Sequence, residues 1–106
     1  MVSTLSFRKI ALGFPHTSEQ PHFDKAAFRA GKKIFATLDE VKLQASIKLS
    51  IAGQDIFSLI DKEMIYPVPN KWGQQGWTII DLQKVTKSIL TDALQQAYDE
   101  VSARKS

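Results

Sequence analysis

The chain has 106 residues, enough for a single domain over 1–106 with one core, and its 43% apolar and 24% charged content excludes disordered and fibrous classes. It contains no cysteine, which removes disulfides, thiolate metal sites and thiol nucleophiles. Fourteen basic and eleven acidic residues give a formal charge of +3, with a local balance of +4 over residues 1–38, a modest excess that suits phosphates or an ordinary solvated surface.

In chain order, Phe7, Ile10, Ala11 and Phe14 recur at helical period, with Ser3 or Thr4 as N-cap and Gly13 then Pro15 as stops. Arg8 and Lys9 interrupt this N-terminal stretch where a signal peptide needs an unbroken apolar run. No segment approaches the roughly 18 apolar residues of a membrane span. A cytoplasmic location without membrane contact is the expectation. "PHTSEQPHFD" has two prolines and no periodicity and reads as a loop. "AAFRAGKKIFATLD" reads as two strands around Ala30, Gly31 and Lys32, with Phe28 before the turn and Ile34, Ala36 and Leu38 alternating after it. "VKLQASIKL" alternates from Val41 to Leu49 as a strand whose wet face carries Lys42 and Lys48. Ser50 caps a second helix reaching about Glu63, with Ile56, Phe57 and Ile60 as its inward stripe. "MIYPVP" is a strand whose Pro67 and Pro69 place it at a sheet edge or a strand end, and "GWTIIDL" is the last strand. From Thr86, Ile89, Leu90, Ala93, Leu94, Ala97, Tyr98 and Val101 form the clearest helical stripe of the chain. The sum is an α+β, two-layer fold: an antiparallel sheet with its helices on one face and the other face open.

"NKWGQQGWT" holds both tryptophans. Gly73 and Gly76 permit positive φ or a close backbone approach, so the chain reverses between the indoles. Trp77 begins a strand with Ile79 on its side and belongs to the core or the sheet rim. Trp72 is either a lid folded onto the sheet or a stacking platform for a planar ligand.

Several landmarks coincide: "PHFDKAAFRAGKKIFATL" from Pro21 to Leu38, "VKL" from Val41, "YPVPNKWGQQGWT" from Tyr66 to Thr78, and "DALQQAYDEV" near the end. Together they resemble the MmcQ/YjbR family of small bacterial proteins over nearly the whole chain. The resemblance implies a fold similar to the frataxin homologue CyaY, a curved sheet with helices behind it, and a DNA-binding role by likeness to a double-wing architecture. The stretch from Val41 to Leu49 is longer than the family's short "VKL" strand, which leaves the register of residues 44–53 open. Frataxins carry an acidic ridge on their first helix. Arg8 and Lys9 stand in this one without an acid, against iron delivery.

Two candidate sites follow. Weak binding of DNA or other nucleic acid would use Lys25, Arg29, Lys32, Lys33, Lys71, Trp72, Gln74 and Gln75, with the Arg29–Lys33 tip and the Lys71–Gln75 loop as two edges of one face. Against it, a Gly-Lys-Lys turn is commonly just a solubilising tip, and loop glutamines are commonly solvated. The alternative is a small-ligand or protein-interaction module lined by His22, Tyr66, Trp72 and Trp77. His16 and His22, with Glu19 and Asp24 nearby, match no metal-ligand spacing, so neither a metal nor another cofactor is expected. The Gly-x-Ser-x-Gly elbow, the phosphate-cradling Gly-Lys-Ser/Thr loop and the dinucleotide fingerprint are all missing, and a non-enzymatic protein is expected, as a monomer or weak homodimer.

Overall fold

Ser3 opens the first helix by accepting a hydrogen bond from the Ser6 amide at 3.1 Å, and α1 spans Thr4–Ala11. In the computed structural model, which describes residues 1–102, there follow β1 (Thr17–His22), β2 (Lys25–Ala30), β3 (Lys33–Asp39), β4 (Gln44–Lys48), α2 (Ile51–Ser58), β5 (Ile65–Pro67), α3 (Lys71–Gln74), β6 (Trp77–Asp81) and α4 (Lys87–Ser102). Among the described residues the strands form one six-stranded sheet in the order β1-β2-β3-β4-β6-β5. Every neighbouring pair in it is antiparallel. The fold is therefore α+β, with an open antiparallel sheet. None of the described helices is long and apolar enough to cross a membrane.

One face of the sheet supplies the core. Strand alternation turns Phe28, Leu38, Ala45, Ile47, Ile65 and Ile80 the same way, and all are buried. Helix α4 lies across β2, β3 and β4 and buries Leu90, Ala93, Leu94, Ala97 and Val101 against them. Each leucine so buried contributes about 1.5–3 kcal/mol. Helix α1 packs beside α4, and its Phe7 meets Phe28 edge-on with ring centroids 5.4 Å apart. Tyr98 stacks on Phe14 at 4.8 Å and donates its hydroxyl to the Pro15 carbonyl at 2.8 Å, which fixes α4 to the segment after α1.

Five readings of the sequence change. The segment taken as a loop contains β1. It is an edge strand, where one row of backbone donors faces no neighbour and Pro21 is tolerated, and its side chains are too polar to show a period. β4 is shorter than the alternation implied. The Asp39 carboxylate accepts the amides of Val41 and Lys42 at 3.1 and 3.0 Å, and the resulting turn takes residues 41–43 out of the ladder. Helix α2 stops at Ser58, where Leu59 and Ile60 donate to the carbonyls three residues back and tighten the last turn. Its inward residues are Gly53, Gln54 and Phe57, whereas Ile56 and Ile60 are 63% and 50% exposed. The tryptophan loop carries the short helix α3.

The fifth change shapes the site. A bulge in β3 pairs Phe28 with Ala36 but Arg29 with Ile34, so Phe35 is an extra residue and both Phe35 and Ala36 are buried. The interruption of alternation sends Ile34, expected beside Ala36 and Leu38, to the open face.

Candidate functional site

The open face is assembled by the same alternation that builds the core. Cross-strand partners on it include Thr37 with Ser46, Ser46 with Ile79, Lys48 with Trp77, and His22 with Lys25. A cavity of about 370 Å³ sits over the middle of the face, lined by His22, Lys25, Ile34, Thr37, Ser46, Val68, Trp72 and Trp77. A second, of about 480 Å³, lies at the end of the sheet and is lined by Arg29, Lys32, Lys33, Ile34, Lys48, Trp77, Glu100 and Val101. Ile34 and Trp77 belong to both, so a mixed apolar and hydroxylic lobe adjoins a basic one across a shared wall.

The loop carrying Trp72 is held rigidly. Asn70 caps α3 by accepting the Trp72 amide at 2.8 Å. The buried Gln54 amide nitrogen, from α2, lies within 2.9–3.1 Å of the Gly73 carbonyl, the Trp77 carbonyl and the Thr78 hydroxyl, joining three segments at one point. A Cβ at Gly73 would overlap the Val68 carbonyl oxygen, and one at Gly76 the Leu49 carbonyl oxygen, with Gly76 also at φ +107°. Lys48 reaches the Gln75 carbonyl at 2.7 Å and ties the end of β4 to this loop. The outcome is a fixed backbone beneath both indoles. Trp72 is 52% exposed, and Trp77 is half-buried at the start of β6 on the open side, on the rim and outside the core.

Of the residues read from the sequence as nucleic-acid contacts, Lys25 and Trp72 line the central cavity, and Arg29, Lys32 and Lys33 the basic one. Arg29 donates Nη1 to the Lys32 carbonyl at 3.0 Å, which steadies the hairpin tip, while its buried Nε has no partner. Lys71, Gln74 and Gln75 are exposed and line neither cavity; Gln75 contributes its main-chain carbonyl to Lys48. Of the alternative set, His22, Trp72 and Trp77 meet in the central cavity. Tyr66, on β5, is not among its lining; its hydroxyl lies 3.5 Å from the Gln44 amide nitrogen. Sequence reasoning missed Ile34, Thr37, Ser46, Val68 and the position of Lys48. Alternation in "QASIK" already put Ser46 and Lys48 on one wet face. Nothing marked Thr37 as their neighbour.

Few of the charges are paired among the described residues. Arg8, on α1, pairs with Glu19 at 3.0 Å and Glu40 at 2.9 Å. The hydrogen bonds that Arg8 donates to the Glu40 and Glu19 carboxylates hold its guanidinium proton more firmly than usual, and the bond to Glu40 keeps that carboxyl below its ordinary value. By contrast, the side chains of Lys25, Lys32, Lys33 and Lys71 make no ion pair among the described residues. The described residues also contain no group of three His, Cys, Asp or Glu side chains placed to hold a metal.

Comparison with known proteins places this arrangement. The family model described as YjbR matches residues 12–100. The crystal structure of Deinococcus radiodurans protein DR2400, with the domain DUF419, superposes with a TM-score of 0.83 at 21% identity, covering 96% of this chain and 80% of that one. At that identity the likeness is one of fold. No curated protein matched the sequence.

Proposed function

We propose that this chain, which belongs to the YjbR family, binds nucleic acid of single-stranded character through the open face of its sheet. The observation that carries the reading is that Lys25, Arg29, Lys32, Lys33 and Lys48 border one pair of joined cavities whose walls include both indoles. Phosphates are met by flexible point charges, and a base can lie against an indole only when it has left its stack. Each such contact is worth about 1–3 kcal/mol, so one or two of them require charge to reach useful affinity. A duplex fits less well. The long helix α4 exposes Asp92, Gln95, Gln96 and Asp99 on its outer side, a poor surface for a groove.

The test is an anisotropy titration with a short labelled single strand at low salt and at fourfold higher salt. With about four phosphates engaged, affinity falls about fiftyfold between the two. No binding at low salt, or binding indifferent to salt, contradicts the reading. A second reading has its own support, because His22, Trp72 and Trp77 line one cavity of about 370 Å³. A small planar or anionic metabolite suits that size. It would shift tryptophan fluorescence saturably while no oligonucleotide bound.

A further inference from the structure

The central cavity holds more polar capacity than a plain stacking platform needs. Its floor carries the cross-strand pair Thr37 and Ser46, and its side carries Lys25 and His22, which face each other across β1 and β2. None of these four side chains makes a hydrogen bond or ion pair among the described residues; the His22 ring meets the Phe23 ring edge-on, with centroids 4.9 Å apart. Lys25 is exposed and the other three are half-buried, so water meets these donors and acceptors and a ligand can take its place. Convergent polar groups between aromatic walls are the usual anatomy of a site that reads a heterocycle.

We infer that this cavity receives one unstacked base between Trp72, Trp77 and Val68 and selects keto over amino edges, with the neighbouring phosphate in the basic lobe; the inference rests on the nucleic-acid reading above. The selectivity follows from the donor inventory. A lysine ammonium donates and never accepts, whereas the Thr37 and Ser46 hydroxyls rotate to suit either partner. A keto oxygen at the base edge satisfies Lys25. An exocyclic amine in the same place leaves two donors facing each other. The phosphate assignment follows from adjacency, since Trp77 and Ile34 separate the floor from Arg29, Lys32 and Lys33.

Short homopolymers of deoxyuridine and deoxycytidine differ at the base edge as keto against amino at C4, with N3 a donor in the first and an acceptor in the second, and their affinities at low salt provide the test. The wild-type chain is expected to bind deoxyuridine about tenfold more tightly, the discrimination one good edge contact gives. Lys25→Met is expected to bring the ratio near one. Thr37→Val with Ser46→Ala, which keeps strand-compatible shapes on the open face, is expected to lower both affinities several-fold while keeping the preference for deoxyuridine, without unfolding the protein. Lys71→Met, at a position lining neither cavity, leaves the ratio unchanged. Equal affinity of the wild type for both homopolymers, or a preference that survives Lys25→Met, overturns the inference while the nucleic-acid reading stands. Binding of neither homopolymer overturns both.

Discussion

Gly73 and Gly76 show at single-residue scale why the tryptophan segment has its composition. The backbone of α3 passes so close to Val68, and that of Gly76 so close to Leu49, that any side chain would collide with a main-chain carbonyl, which cannot swing aside. The glycines allow the loop to lie down on the sheet, and Gln54 then locks it by bringing one amide to three oxygens. A substitution here acts on packing first and on Trp72 second. Gly73→Ala is expected to destabilise the fold by about 2 kcal/mol or more, the cost of overpacking against backbone, read as a lower urea midpoint at unchanged slope. An unchanged midpoint would mean that the close approach is not a constraint. The glycines were legible as markers of a reversal; the carbonyl each one faces was not, because the contact is made across the fold.

Elements divide into those that announce themselves and those that do not. Helix α4 was plain, since a stripe at three- and four-residue spacing has to be buried somewhere and the apolar face of the sheet receives it. Helix α2 misled because apolar residues lie nearly all round it, so periodicity could not choose a face. The choice is made by Gln54 and Phe57, which anchor it, and the cost of truncation should follow the structure and not the hydropathy. Phe57→Ala is expected to lose about 3 kcal/mol or more, and Ile56→Ser about 0.5 kcal/mol or less, measured by denaturant unfolding. Comparable losses at both positions would contradict the orientation of α2. Strand β1 was hidden for the opposite reason: an edge strand with Pro21 and polar side chains has no apolar rhythm, and only its partner β2 identifies it. The bulge at Phe35 was equally silent, and by shifting alternation it moved Ile34 from the core list to the wall of the site.

At the scale of the molecule, Arg8 and the cations of the open face differ in their partners. On the helix side Arg8 is neutralised by Glu19 and Glu40. On the open side lysines stand without ion pairs among the described residues, around two indoles carried on a pinned backbone. The general outline of that face was legible from the basic hairpin and the tryptophan segment. Its floor was not, because Thr37 and Ser46 become neighbours only through the register of β3 and β4. The loop residues Gln74 and Gln75 attracted notice by type, yet their side chains line neither cavity. The most direct measurement of the central claim uses the fact that the chain has two tryptophans, so its indole N–H region in a proton–nitrogen correlation spectrum should hold two signals. Titration with a short single strand at low salt is expected to shift both, together with the amides of Thr37, Ser46 and Lys48, and to leave the outer side of α4 still. Shifts confined to α4, or indoles unmoved at saturation, would contradict the account.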